Sequence, residues 1–236
     1  MLMVGQQQDP FLGSVVFLMG ADGTNGSTTV PDESPAAHGN ASISGAAAIS
    51  TAQFVFGGSS LSIPSASNKA TWLHSNDWTL GPTNTTPFTL ECWIRPASLS
   101  GFRCIIGRYS GLGGRGFEFA TTGTELVWQW AANLSTSNQT LTTSGAGFAI
   151  NTWYAVAVDK DSSGKIRLYV DGVMKASSTP ADSTMTNDPA TNLTVGASSI
   201  SDNYTGFIEE IRITKGIARY ASDGGYTVTA SRFPRT

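Results

Sequence analysis

Gly206-Phe207-Ile208-Glu209-Glu210-Ile211-Arg212-Ile213-Thr214-Lys215-Gly216-Ile217-Ala218-Arg219-Tyr220 reads as a strand, a glycine break and a short turn ending in an aromatic residue. Alternation sets Phe207, Glu209, Ile211 and Ile213 on one face, and Ile208, Glu210, Arg212 and Thr214 on the other. Two adjacent carboxylates at the head of an apolar strand are unusual, because each needs a partner in a packed sheet. As neighbours on a strand they are expected on opposite faces, which disqualifies them as a catalytic pair.

The same period of two recurs upstream. Phe88, Leu90, Cys92 and Ile94 form one face of the stretch Pro87 to Pro96, and Thr89, Glu91, Trp93 and Arg95 form the other. Thr152 to Asp159 alternates again. Lys165 to Val170 runs into Asp171-Gly172, whose tolerance of positive φ suits a two-residue hairpin turn. Phe54-Val55-Phe56 breaks at Gly57-Gly58 and resumes through Leu61 and Ile63. About a dozen such strands are separated by polar turns, and no segment sustains helical periodicity beyond two turns, so the expected fold is an all-β antiparallel sandwich.

Composition agrees. The chain has 236 residues, of which 13 % are charged, a length and balance that suit one large β domain with its own core. Its net charge of -3 and scattered Lys and Arg argue against nucleic acid as a partner. No apolar run approaches the roughly 20 residues of a membrane-spanning helix. The N-terminus lacks the features of a secretory signal, so synthesis in a cytoplasm is expected. Met1 to Leu12, with its glutamines and proline, reads as an arm that docks on a partner chain, and the sandwich is expected from residue 13 to 236. The two cysteines, Cys92 and Cys104, are read as buried thiols or as a pair facing across a hairpin.

Four of these stretches, in order, resemble laminin-G-like, concanavalin-A-like lectin domains. They are Phe54-Val55-Phe56-Gly57-Gly58-Ser59-Ser60-Leu61, then Phe88 to Ile94, then Trp153 to Val158 continuing to Leu168-Tyr169-Val170-Asp171-Gly172, and finally the closing strand. The resemblance implies a jelly-roll sandwich of two curved sheets. Val15-Val16-Phe17-Leu18-Met19-Gly20-Ala21-Asp22-Gly23 and Thr214 to Tyr220 are similar to modules in bacteriophage structural proteins. That likeness implies a noncatalytic virion component, either capsid decoration or tail and fibre. It would be joined to other virion proteins through its arm and, by analogy, be a homo-oligomer. The alternatives are a free bacterial carbohydrate-binding module or adhesin, and an endoglycanase relative that has lost its acids.

The resemblance also implies sites. The family often holds a structural calcium between an early acidic loop and the closing strand. Asp32, Asn40 and Glu209 are the corresponding candidates here, although Glu209 stands where Asp is usual and Pro35-Ala36-Ala37 reshapes the loop. Calcium takes six to eight oxygen ligands, which these residues could help supply. The competing reading pairs Glu209 or Glu210 with Arg212, Lys215 or a backbone amide. Glycan binding needs exposed aromatic faces, for which Trp72, Trp78 and Tyr204 are candidates. Trp128 and Trp130, two apart on one strand, are read either as a sugar platform or as core. Glycoside hydrolases share this fold, but no Glu-x-Asp-x-x-Glu strand is present, and no other catalytic motif appears.

Overall fold

The computed structural model describes residues 8–110, 115–132, 138–198 and 203–235. Fifteen strands account for nearly all its regular structure: β1 Val15–Met19, β2 Ser42–Ser44, β3 Ala48–Ser50, β4 Ser60–Ile63, β5 Lys69–Trp72, β6 Phe88–Pro96, β7 Phe102–Tyr109, β8 Arg115–Thr122, β9 Glu125–Trp130, β10 Gln139–Thr142, β11 Tyr154–Lys160, β12 Ile166–Val170, β13 Val173–Ser178, β14 Leu193–Val195 and β15 Gly206–Lys215. Short 3-10 turns at Leu12–Ser14 and Asn76–Trp78 are the helical elements among the described residues. Among the described residues, no helix is long and apolar enough to cross a membrane.

Two antiparallel sheets result. The larger has eight strands in the order β13-β12-β11-β6-β15-β4-β3, with β1 also paired to β15. The smaller has seven, in the order β10-β9-β8-β7-β14-β5-β2. The chain passes repeatedly from one sheet to the other, so the expected all-β sandwich is what forms. The core lies where the apolar faces meet. Leu90, Cys92 and Ile94 of β6, with Val156 and Val158 of β11, belong to the same buried cluster as Phe117, Phe119, Trp128 and Trp130 of the smaller sheet. Trp128 is stacked on Phe117 at 5.1 Å and tilted against Phe88 at 5.5 Å, so an aromatic cluster joins the sheets.

Local expectations hold where local chemistry controls them. Asp171 and Gly172 have φ of 50° and 77° and close a two-residue turn between Val170 and Val173. Cys92 and Cys104 are both buried. They do not face across a hairpin, because β6 and β7 belong to different sheets.

The closing strand departs from simple alternation. Glu209 pairs with Trp93 and Arg212 with Glu91, so between these pairs two residues of β15 stand opposite one of β6. Glu210, at φ 52°, is the inserted residue of this bulge. The bulge sits where the other edge of β15 changes partner, from β4 at Gly206–Ile208 to β1 at Ile211–Thr214. The core therefore receives Ile208, Ile211 and Ile213, and Glu209 and Arg212 share the outer face. The strict alternation expected from the sequence fails at this one residue.

From Asp9 the N-terminal segment packs on the sandwich. Asp9 is buried, and Leu12 lies against Val15, Leu18 and Phe233. The arm expected over Met1 to Leu12 is thus bound to its own domain from Asp9 onward, and its first seven residues lie outside the described structure. The C-terminal segment, 216–235, crosses the outer face of the larger sheet.

Candidate functional site

The outward residues of β6 are Thr89, Glu91, Trp93 and Arg95, and the first two are buried beneath the terminal segments. Glu91 accepts from Arg212 Nε at 2.9 Å and Nη2 at 2.8 Å, and its other oxygen accepts from the Tyr220 hydroxyl. Arg212 also donates to Asp9 at 3.0 Å and lies under the Phe233 ring, 3.9 Å from its centroid. Arg219 donates to both Asp9 oxygens, at 3.0 and 2.8 Å, and to Thr214 at 2.6 Å. Burial disfavours the Arg212 charge, but the adjacent Glu91 outweighs it, and the pKa of Arg212 is raised. Tyr220 and Tyr226 are stacked at 3.6 Å and 7°, and both hydroxyls are pushed above their ordinary range, chiefly by burial and then by Glu91.

This network frames a cleft of about 190 Å³, whose walls include Trp93, Ala155, Tyr226, Thr229 and the Glu91–Arg212 pair. Trp93 is half-buried. The Phe56 ring stands edge-on to it at 5.6 Å and 88°. Beside it Phe207 carries Arg95, 5.8 Å above its centroid, and Phe54 is 48 % exposed. A carboxylate has about four lone-pair positions. Arg212 and Tyr220 take three of those on Glu91, which leaves one for a ligand hydroxyl. An aromatic face next to fixed acceptors and donors suits stacking of a sugar ring with hydrogen bonding at its edge.

Glu209, paired in register with Trp93, holds the loop that packs on that ring. Its two oxygens accept from the Val55 and Phe56 amides at 2.6 and 2.7 Å. These bonds hold Phe54-Val55-Phe56 as a loop rather than the strand its apolar run suggests, and they orient Phe56 onto Trp93. Burial raises the Glu209 pKa to about 7, against the lowering effect of the two amides.

The sequence-expected sugar residues lie elsewhere. Trp72, Trp78 and Tyr204 are 1 %, 0 % and 0 % exposed, so none can offer a face to a glycan. Phe17 meets the edges of Trp72 and Trp78 at 4.8 and 5.7 Å. Each indole N–H finds a backbone carbonyl, Gly39 for Trp72 and Leu73 for Trp78, which permits complete burial. The Tyr204 hydroxyl donates to the Phe207 carbonyl at 3.4 Å. Trp128 and Trp130 take the core alternative.

The calcium candidates also do not converge. The Asp32 oxygens accept from the Leu18 and Ser34 amides, the Ser34 hydroxyl, and the His38 amide and ring. Asn40 is exposed and bridges Pro31, and Glu209 serves the two amides already described. Among the described residues, no group of three His, Cys, Asp or Glu could hold a metal ion. The residues present do not fit calcium, because protein donors already serve both carboxylates. Other acids near the closing strand are served by the chain's own cations. Arg235 donates to Glu210 at 2.7 Å and to Glu33 at 3.1 Å, and Arg232 pairs with Asp22. Gly20 leaves room for this arrangement, since a Cβ there would stand 2.2 Å from Arg235 Nη2 and 2.8 Å from oxygens of Asp22 and Glu33.

The aromatic lining this cleft from β6 that the sequence reading did not select as a candidate is Trp93. Its signal was present: it alternates with Glu91 and Arg95 on the polar face of β6, opposite the core face.

A family model of the concanavalin A-like lectin/glucanases superfamily, of laminin G type, matches residues 57–218. The chain belongs to this superfamily. No curated protein matches it. Among solved structures it is similar to the binding domain of Paraclostridial Mosquitocidal Protein 1, with TM-score 0.66 and 14 % identity over 88 % of this chain and 50 % of that one. The botulinum neurotoxin serotype D binding domain gives TM-score 0.64 and 15 % identity, over 89 % and 50 %. A structure of botulinum neurotoxin type C, whose cell entry depends on interaction with two ganglioside molecules, gives 0.60 and 17 %, over 88 % and 49 %. The chain spans about half the length of these neighbours, and at such identities the likeness is one of fold.

Proposed function

We propose that this lectin-type sandwich is a noncatalytic saccharide-binding module whose site is the Trp93 cleft, and that it serves as a structural part of a bacteriophage virion. The observation that carries the binding reading is the half-buried Trp93 face beside the fixed Glu91–Arg212 pair. The neighbouring toxin binding domains, one of them from a toxin that interacts with gangliosides, support a glycan as ligand. The noncatalytic reading rests on the state of the acids: Glu91 and Asp9 both accept from guanidinium groups, so neither is poised to protonate a leaving group. The virion reading rests on the likeness of Thr214 to Tyr220 to phage modules. A docking role for the arm is confined to the residues before Gln8, and a homo-oligomer is the expected assembly. The second reading, a free bacterial adhesin or carbohydrate-binding module, is favoured by the toxin-domain neighbours.

A glycan array probed with the full chain and with Trp93→Ala tests the site. Loss of one stacked ring, worth about 1 kcal/mol or more, weakens binding at least about fivefold. Undiminished binding by the variant refutes the assignment. Mass spectrometry of purified particles separates the virion reading from the free adhesin.

A further inference from the structure

The outer face of the smaller sheet carries a different kind of cleft, of about 140 Å³, walled by β5, β14, the end of β7 and the turn before β14. A water's share of liquid volume is about 30 Å³, so the space admits a charged substituent and part of the ring that carries it. Thr194 pairs in register with Thr71 on one side and Gly107 on the other, so three adjacent strands form the floor. Lys69 and Thr71, two apart on β5, point the same way. The wall at Thr191 is fixed from beneath. Buried Arg108 donates to the carbonyls of Thr191, at 3.2 Å, and of Asp188.

Several polar groups here are already committed. Thr194 donates to Gly107 and Ala197 carbonyls at 3.1 and 2.6 Å, Thr191 to Asp188, and Asn192 Oδ1 accepts from the His74 amide at 2.9 Å. The unspent capacity is of one kind. Thr71 Oγ1 has no hydrogen-bond partner. Lys69 has no carboxylate partner among the described residues. The amide N–H₂ of Asn192 remains to donate. One full positive charge and two neutral donors, with no carboxylate among the lining residues, form a site for an acceptor-rich anion.

We propose that this cleft is a second ligand site, separate from the Trp93 cleft, and that it takes the anionic group of an acidic polysaccharide, a carboxylate or a sulfate ester. Thr71 and Asn192 orient the anion, Lys69 neutralises it, and the Tyr109 side supports the ring. The inference does not depend on the Trp93 site. A chain with sites on both outer faces would bridge acidic and neutral polymers.

Binding of the full chain to polygalacturonate, dextran sulfate and neutral dextran is measured at low and physiological salt, for the wild type and for Lys69→Gln, Thr71→Val and Trp93→Ala. The wild type binds one polyanion more tightly than neutral dextran, and the two polyanions distinguish carboxylate from sulfate. Lys69→Gln weakens that binding about fivefold and flattens its salt dependence. Thr71→Val, which preserves shape, weakens it several-fold with an unchanged melting temperature, and Trp93→Ala leaves its salt dependence as in the wild type. Absence of binding to both polyanions, or full affinity in both cleft variants, overturns the proposal. If neutral glycan binding proves insensitive to Trp93 while polyanion binding still depends on Lys69 and Thr71, the first site fails and this one stands.

Discussion

The two outer faces of the sandwich handle polarity in opposite ways. On the larger sheet, Glu91, Asp159, Arg212 and Thr214 are buried under the terminal segments, and their charges are neutralised within the chain. Asp159 accepts from the Thr89 hydroxyl at 2.9 Å and from the amides of Tyr220 and Ala221 at 3.2 and 3.1 Å. On the smaller sheet, Lys69 and Thr71 are only half-buried and keep donors unspent. The covered face therefore stores its charges as structure and leaves the half-buried Trp93 ring at its margin. The open face keeps part of its polarity for whatever arrives. Buried ion pairs add little net stability against an apolar alternative, but removing one member is costly, because the other charge is stranded. This asymmetry makes the contrast testable.

The largest effect is expected from Arg212→Ala. It strands buried Glu91, while Asp9 keeps Arg219, and should cost about 3–5 kcal/mol in urea denaturation, whereas Lys69→Gln on the open face should stay within about 0.5 kcal/mol. Similar costs for the two would abolish the distinction between the faces.

A pH effect comes next. The folded pKa of Glu209, about 7, lies above its ordinary 4.5, so between these values the folded chain binds the extra proton. The associated stability is fully present below pH 4.5 and is lost as pH rises through 7, a difference of about 3 kcal/mol at most. Denaturation of the wild type and Glu209→Gln across this window checks it. The wild type should weaken as pH rises, and the variant should lack that component of the slope; parallel slopes would remove Glu209 as its source.

The smallest effect is expected from a chelator. Arg232 and Arg235 already neutralise Asp22, Glu33 and Glu210, and Asp32 and Glu209 are served by protein donors. The melting temperature should be the same with and without EDTA, and a clear downward shift would restore a metal to this region.

Much of the fold was legible because it is written locally. The alternation of Phe88 to Arg95 marked both a core face and a polar face, and Asp171-Gly172 marked its turn through the φ angles those residues tolerate. The site was legible only in part. Trp93 carried a signal, sharing a face with Glu91 and Arg95. Trp72 and Trp78 sit in polar-looking sequence, and their burial depends on Phe17, which arrives from β1. Glu209 was read as a metal ligand or as a partner for an amide, and the second alternative holds. Its amide partner at Val55 lies 154 residues away, and no local pattern marks that contact. The Thr214 to Tyr220 turn has structural contacts that no local pattern marks: Arg219 and Tyr220 reach back to Thr214, Asp9 and Glu91 and fasten the C-terminal segment to the sheet.

By itself, the sequence determined an all-β sandwich, its main strands and its tightest hairpin. Period-two patterning and turn chemistry act between neighbouring residues, so they survive in a linear reading. Tertiary structure alone decided which tryptophan meets solvent, where the closing strand bulges, and which amides and guanidinium groups donate to its acids. Those outcomes depend on burial and on charge partners brought together from distant parts of the chain. The free energy of a carboxylate or an indole is set by what surrounds it in space, not by its neighbours in sequence.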